Sequence, residues 1–266
     1  MNLRSLMAES LLPRLETRIL LQHIMGFSQA QLISRDDTCV TAEQLKCFLD
    51  YQQRALLGEP IAYLLGYKEF YGRNFQVTPA TLIPRPETEL LVDKVLELAP
   101  SDARIIDLGT GSGCIAISCK LERSDLQVVA VDVSPDALHV ATNNACQLSA
   151  AVEFISSNWL NSVSGKFAII VSNPPYIEHD DQHLANLRYE PISALTDFGD
   201  GLEHIRIICA QSQKYLQNNG WLLIEHGYNQ GLSVREIFNS NNFSSVETIR
   251  DYANLERFTL GCYLKN

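Results

Sequence analysis

Asp107-Leu108-Gly109-Thr110-Gly111-Ser112-Gly113 closes an apolar run that begins at Arg104. Glycine at alternate positions permits a tight turn from strand to helix. Without Cβ atoms, the same glycines let a ligand lie against the backbone. Further apolar runs follow at 127–133, 152–155, 167–172 and 221–225, with helical stretches between most of them. That alternation predicts a mostly parallel sheet with helices on both faces, an α/β fold of the Rossmann-like kind. Two later β-rich stretches, 245–250 and 257–263, are expected to pair as an antiparallel C-terminal edge, for seven strands in all. In such a sheet the glycine loop sits at the carboxyl end of the first strand, where open α/β sheets bind ligands.

Upstream, the pattern changes. Tyr67, Phe70, Tyr71, Phe75 and Val77 alternate about Gly72, so residues 67–85 read as a β-hairpin linker, stiffened by Pro79 and Pro84. Residues 86–266 form the α/β domain, which opens on a helix from Pro86 to Leu98 with Leu90, Leu91, Val95 and Leu98 as its buried stripe. Residues 1–66 read as a small helical domain. Leu3, Leu6, Met7 and Leu11 share one helical face, and Leu15, Ile19, Leu20 and Ile24 another that follows Pro13. Ser28 is placed to cap a short helix containing Leu32 and Ile33. Thr41 with Gln44 makes a capping-box pattern before Leu45, Phe48, Leu49 and Leu56, and Gly58 and Pro60 stop that helix. No cofactor motif occurs in this segment, which points to recognition rather than chemistry.

The 266 residues suffice for one large domain and a smaller one. No window approaches 18 consecutive apolar residues, so no membrane span is expected. Met1-Asn2-Leu3-Arg4-Ser5 is not followed by an apolar run with a small-residue cleavage site, so no signal peptide is expected. The seven cysteines (Cys39, Cys47, Cys114, Cys119, Cys146, Cys209 and Cys262) are odd in number and form no Cys-x-x-Cys. A reducing cytoplasm, without disulfides or a zinc site, is the expected setting. The net charge of −10 argues against a dedicated binder of phosphate backbones. There are no repeats and no low-complexity segments.

The glycine loop is not the dinucleotide pattern G-x-G-x-x-G, because Cys114 stands where the third glycine would fall. Asp107 just before it disfavours a pyrophosphate and suits a ligand with a cationic part, such as the amino group or sulfonium of S-adenosylmethionine. Asp132 ends the second strand, where an acid accepts hydrogen bonds from both hydroxyls of a ribose. Ser134 is the better candidate to cap the helix that follows, with Pro135 at its first position. Asn158 and Trp159 after the third strand either bracket an adenine or, in the case of the indole, plug the sheet end.

The fourth strand ends in Ser172-Asn173-Pro174-Pro175-Tyr176. Each proline removes an amide donor and fixes φ, so the loop has a set shape. The side-chain carbonyl of Asn173 and the main-chain carbonyl of Pro174 offer two acceptors, with Tyr176 as a flat face beside them. A planar NH2 fits such a site, either a carboxamide or the exocyclic amine of an adenine in DNA or RNA. Its two hydrogens would meet the acceptors while its lone pair faces a methyl donor.

At these residues the sequence resembles the release-factor glutamine methyltransferases of the PrmC/HemK family. The similarity extends through Leu82-Ile83-Pro84-Arg85-Pro86-Glu87-Thr88-Glu89, Arg188-Tyr189-Glu190-Pro191, Glu225-His226-Gly227 and Arg250-Asp251-Tyr252. The resemblance implies a seven-stranded methyltransferase domain with S-adenosylmethionine as cofactor and S-adenosylhomocysteine as product. It also implies class-1 peptide-chain release factors as partners, methylated on the glutamine of their Gly-Gly-Gln motif. The acidic charge and the absence of a long apolar window add the expectation of no direct nucleic-acid binding and no membrane. By position, Asp107, Gly109, Thr110, Gly111, Ser112, Gly113, Asp132, Trp159 and Asn173 would bind the cofactor. Asn173, Pro174, Pro175 and Tyr176 would hold the target glutamine, with Asn173, Pro174 and Tyr176 catalytic. Asn158 departs from the family, where relatives often carry Asp. Arg85 would hold an acidic group near the site or make a surface ion pair. Glu225 would orient the neighbouring loop or act as a tuned base. His179 and His183 are four apart but lack a third ligand, so no metal is expected.

Overall fold

The computed structural model describes residues 1–264 and divides the chain into two compact units, Met1–Tyr67 and Lys68 onward. The first unit is helical: α1 (Leu3–Glu9), α2 (Arg14–Met25), α3 (Gln29–Ser34), α4 (Ala42–Leu56) and α5 (Ile61–Leu65). Full capping boxes form at Ser28 with Gln31 and at Thr41 with Gln44, each satisfying two otherwise orphaned amides. Leu3, Leu6, Leu12, Leu20, Leu21, Leu32, Phe48 and Leu64 make its core.

Four leucines expected inside, Leu11, Leu15, Leu49 and Leu56, are exposed. Helix α1 stops at Glu9, so its phase never reaches Leu11, and Leu12 packs instead. In α2 the buried row runs through Thr17, whose hydroxyl reaches the carbonyls of Leu12 and Pro13. In α4 the inward place goes to Gln52, whose Oε1 accepts from the amide of Leu11 at 2.9 Å. A polar side chain with buried partners can thus take a position that apolar counting gives to leucine.

From Tyr67, the last residue of the first unit, the chain runs into the hairpin of β1 (Tyr67–Phe70) and β2 (Arg73–Gln76), turning through Tyr71 and Gly72 with φ of 52° and 72°. A 3-10 turn (Pro86–Thr88) then leads into α6 (Glu89–Leu98). Leu91, Val92 and Val95 are the fully buried residues of α6, whereas Leu90 and Leu98 are only half-buried. The stripe is rotated because α6 packs against α7 (Cys114–Glu122) as well as the sheet.

The sheet comprises β3 (Arg104–Leu108), β4 (Gln127–Asp132), β5 (Val152–Ser156), β6 (Phe167–Ser172), β7 (Leu216–Glu225), β8 (Phe243–Arg250) and β9 (Glu256–Tyr263). Their order is β5-β4-β3-β6-β7-β9-β8. The first five are parallel, while β9 runs antiparallel between β7 and the edge strand β8. Helices α6, α7 and α8 (Pro135–Leu148) contribute to the core on one face of the sheet. Helices α9 (Glu203–Ser212) and α10 (Gly231–Ser240) contribute to the core on the other. The chain winds away from β3 to β4 on one side and returns to β6 on the other. This reversal opens a crevice at the carboxyl ends of the strands. Register pairs Leu108 with Ser172, so the glycine loop and the asparagine loop leave the sheet side by side. No described helix is long and apolar enough to cross a membrane.

Candidate active site

A cavity of about 630 Å³ opens at that crevice, within the size range of small-molecule sites. Gly109, Thr110, Gly111, Ser112, Asp132 and Trp159 line it. Gly113 lies behind this wall with a φ of 81°, a conformation that favours glycine, and a Cβ there would also crowd Ala141 of the neighbouring helix at 3.2 Å. Asp132 sits at the wall. Its Oδ2 accepts from the amide of Gly111 at 2.9 Å and its Oδ1 from that of Ser134 at 2.9 Å, with further lone pairs left over. Burial raises its pKa, against the pull of these amides. The cap of α8 is Ser134, with Pro135 following.

Asp107 is fully buried behind the loop rather than in the cavity lining. Thr110 Oγ1 donates to its Oδ2 at 2.6 Å, while Oδ1 has no hydrogen-bond partner. Burial pushes its pKa up to about 7. A buried carboxylate just behind the glycine loop fits a ligand with a cationic group. Trp159 both packs on the apolar core and lines the cavity, its ring 5.1 Å from that of His204 and facing Gly109. Asn158 is exposed at the rim.

A second cavity of about 380 Å³ adjoins the first and is lined by Pro174, Tyr176, Ile177 and Leu187 among others. Asn173 lines both cavities, standing in the wall between them, whereas Pro175 faces the larger one. The loop is held from several directions. Ser172 Oγ donates to the carbonyl of Leu108 at 2.8 Å, the Ile177 amide to the carbonyl of Leu195 at 2.9 Å, and Gln230 Nε2 to the carbonyl of Tyr176 at 2.9 Å. Gly201 packs so closely under the Tyr176 carbonyl that no Cβ fits there. Asn173 Nδ2 reaches Thr88 Oγ1 at 3.4 Å, and Tyr176 Oη reaches Glu225 Oε1 at 3.4 Å.

Several residues at this site are not singled out as site residues by the sequence, although Thr88 and Glu190 lie inside stretches that resemble the family. Thr88, Ser157, Ala194, Phe198 and His204 line the larger cavity from segments far apart in the chain. Glu190 is buried, and its carboxylate accepts from the Ile83 amide at 2.9 Å and from Arg85 at 2.5 Å. Arg85 therefore binds an acid beside the site, tying the proline-rich connector to the segment after the asparagine loop. Glu190→Ala would leave a buried amide and a guanidinium without their acceptor. A loss of about 2–3 kcal/mol is expected, read as a lower midpoint in thermal or urea unfolding. His183 pairs with Asp181 at 2.7 Å, His179 lies near Phe198, and no metal-binding cluster occurs among the described residues.

Strand order, the glycine loop with its two acids, and a rigid asparagine loop at the switch point together define an S-adenosylmethionine-dependent methyltransferase. The family model "Methyltransferase small domain" matches residues 86–200, and "PrmC N-terminal domain" matches residues 3–66. The chain belongs to the release factor glutamine methyltransferase family. The relative of that name from Neisseria gonorrhoeae is 47% identical over 97% of this chain and 96% of its own length. The one from Escherichia coli K12 is 43% identical, over 94% and 92%. Among solved structures, a methyltransferase from Pyrococcus furiosus shares the fold at 17% identity with a TM-score of 0.59, covering 81% of this chain and 99% of its own. The T. thermophilus 16S rRNA N2 G1207 methyltransferase, solved with AdoMet and guanosine, does so at 13% identity with a TM-score of 0.56, over 74% and 49%.

Proposed function

We propose that the protein transfers a methyl group from S-adenosylmethionine to the side-chain amide nitrogen of the glutamine in the Gly-Gly-Gln motif of class-1 release factors. The observation that carries this reading is the position of Asn173 between two cavities, one sized for the cofactor and one open to a side chain. In the larger, Asp132 would take the ribose hydroxyls, Trp159 with Asn158 would border the adenine, and the unpaired oxygen of Asp107 would favour the cationic end. The cofactor supplies an electrophilic methyl carbon on a sulfonium.

In the smaller cavity, the carbonyls of Asn173 and Pro174 would accept the two N–H bonds of the target amide, against the face of Tyr176. Resonance makes an amide nitrogen a poor nucleophile. Two fixed acceptors favour the positive charge that develops on it during attack. Holding nitrogen and methyl carbon in line contributes more, up to roughly 7–11 kcal/mol. With the cofactor bound, Asn173 and Pro174 would hold the amide nitrogen facing the methyl group that the sulfonium supplies, and the surplus proton would leave the nitrogen for water or a carbonyl. Residues 1–66, which carry no cofactor motif, serve in this reading as the substrate-recognition domain. The seven free thiols suit a cytoplasmic setting.

Incubation with methyl-labelled S-adenosylmethionine and a release factor should label the Gly-Gly-Gln glutamine. Equal labelling of a factor carrying alanine there would defeat the proposal. Label on DNA or RNA instead would favour the adenine amine as the target.

A further inference from the structure

Glu225 ends β7 behind the asparagine loop, fully buried, and its Oε2 has no hydrogen-bond partner. Its Oε1 faces the Tyr176 hydroxyl, and the hydroxyl of buried Thr88 lies against the same carboxylate. Thr88 is in turn the partner of Asn173 Nδ2. We infer that Glu225 and Thr88 are positioning residues that fix which way round the Asn173 amide sits, and that they do so only while Glu225 is a carboxylate. This rests on the acceptor role of Asn173 proposed above.

The logic is one of proton counting. A hydroxyl has one hydrogen to give. An ionised carboxylate only accepts, so Thr88 gives its hydrogen to Glu225 and offers a lone pair towards Asn173. Only the NH2 end of the Asn173 amide can use that lone pair. The carbonyl end is then turned away from Thr88 and left for the target NH2. A protonated Glu225 can donate to Thr88, freeing the threonine hydrogen for the Asn173 carbonyl. The amide then turns over and presents a donor where the target needs an acceptor. Tyr176 likewise loses a pure acceptor for its hydroxyl.

The charged or titratable groups facing Glu225 are Glu87 from the 3-10 turn, Tyr176 from the loop, Arg257 from β9 and Cys114 from α7. Burial pushes the Tyr176 hydroxyl up and the Cys114 thiol up to about 12, so both stay neutral near pH 7. Arg257 is charged and paired with Asp251 at 2.7 Å. Burial pushes Glu225 itself up to about 7, so its charge changes across the neutral range.

The test measures kcat and cofactor affinity across the neutral range for the full-length enzyme and four variants. The wild-type kcat should fall as pH drops through about 7, because the active form is the ionised one. Glu225→Gln should lower kcat and remove that acid limb. Thr88→Val, which keeps the shape and loses the hydroxyl, should lower kcat roughly 10- to 100-fold with cofactor affinity unchanged, and Thr88→Ser should restore most of it. Wild-type kcat in Thr88→Val, or an acid limb surviving in Glu225→Gln, overturns the relay. The Glu225→Gln profile decides the matter should Thr88→Val not fold. Asn173→Ala is the reference. If it is inactive, a wild-type-like Thr88→Val sinks the relay alone. If it is active, the acceptor reading and the relay fall together.

Discussion

Asn173→Ala is expected to lower kcat for methyl transfer by about 10²- to 10³-fold while leaving cofactor affinity nearly unchanged. The truncation removes one of two acceptors for the target amide but leaves the glycine loop and Asp132 in place. Asn173 sits in the wall between the cavities, so its loss acts where the nitrogen meets the methyl carbon. The loop should survive, because its hydrogen bonds run through Ser172, Tyr176 and Ile177 rather than through the Asn173 side chain. Single-turnover transfer of labelled methyl to a release factor checks the rate, and calorimetric titration with cofactor checks the affinity. Turnover close to wild type would refute the acceptor role.

Asp132→Ala is expected to act on the other half of the site, weakening cofactor binding by about 3 kcal/mol, roughly 100-fold in Kd. Two hydrogen bonds from ribose hydroxyls to a charged acceptor would be lost. The amides of Gly111 and Ser134, which now donate to this carboxylate, would lose their acceptor as well. The change should appear in Kd from titration and in KM for the cofactor. With saturating cofactor, kcat should recover far more than it does in Asn173→Ala. An unchanged Kd would remove Asp132 from the ribose contact.

The two variants separate residues that the sequence presented in different ways. The strand beginning at Arg104, the strand 167–172, the Thr41–Gln44 capping box, the Ser28 cap and the turn at Gly72 were legible because each depends on neighbours within a few residues. Asp132 and Asn173 were legible because each ends an apolar strand on a residue that no core would choose. Leu15 and Leu49 misled because a helical face is defined by what packs on it, and Thr17 and Gln52 hold the inward places through partners found only in the fold. Glu225 was visible as a strand-end acid, yet nothing in its neighbours told whether it would meet solvent or a hydroxyl. His204 carried no signal, being one residue of an ordinary helix start.

By itself the sequence determined the alternation of strand and helix, that the first strand hands over to a glycine loop, and that an asparagine with two prolines closes the fourth, although the strands read from 221 and 245 begin earlier, at Leu216 and Phe243, and the helix read from Pro86 begins at Glu89. Those are outcomes of short-range sterics and hydrogen-bonding capacity. Only the tertiary structure decided that β3 lies beside β6, bringing Gly109 and Asn173 to one crevice. It also decided that Thr88 meets Asn173 across 85 residues of chain and that Glu190 finds Arg85 across 105. Such meetings are set by the order in which crossovers lay strands into the sheet and by which buried polar groups must share partners there. No local stretch of sequence encodes either.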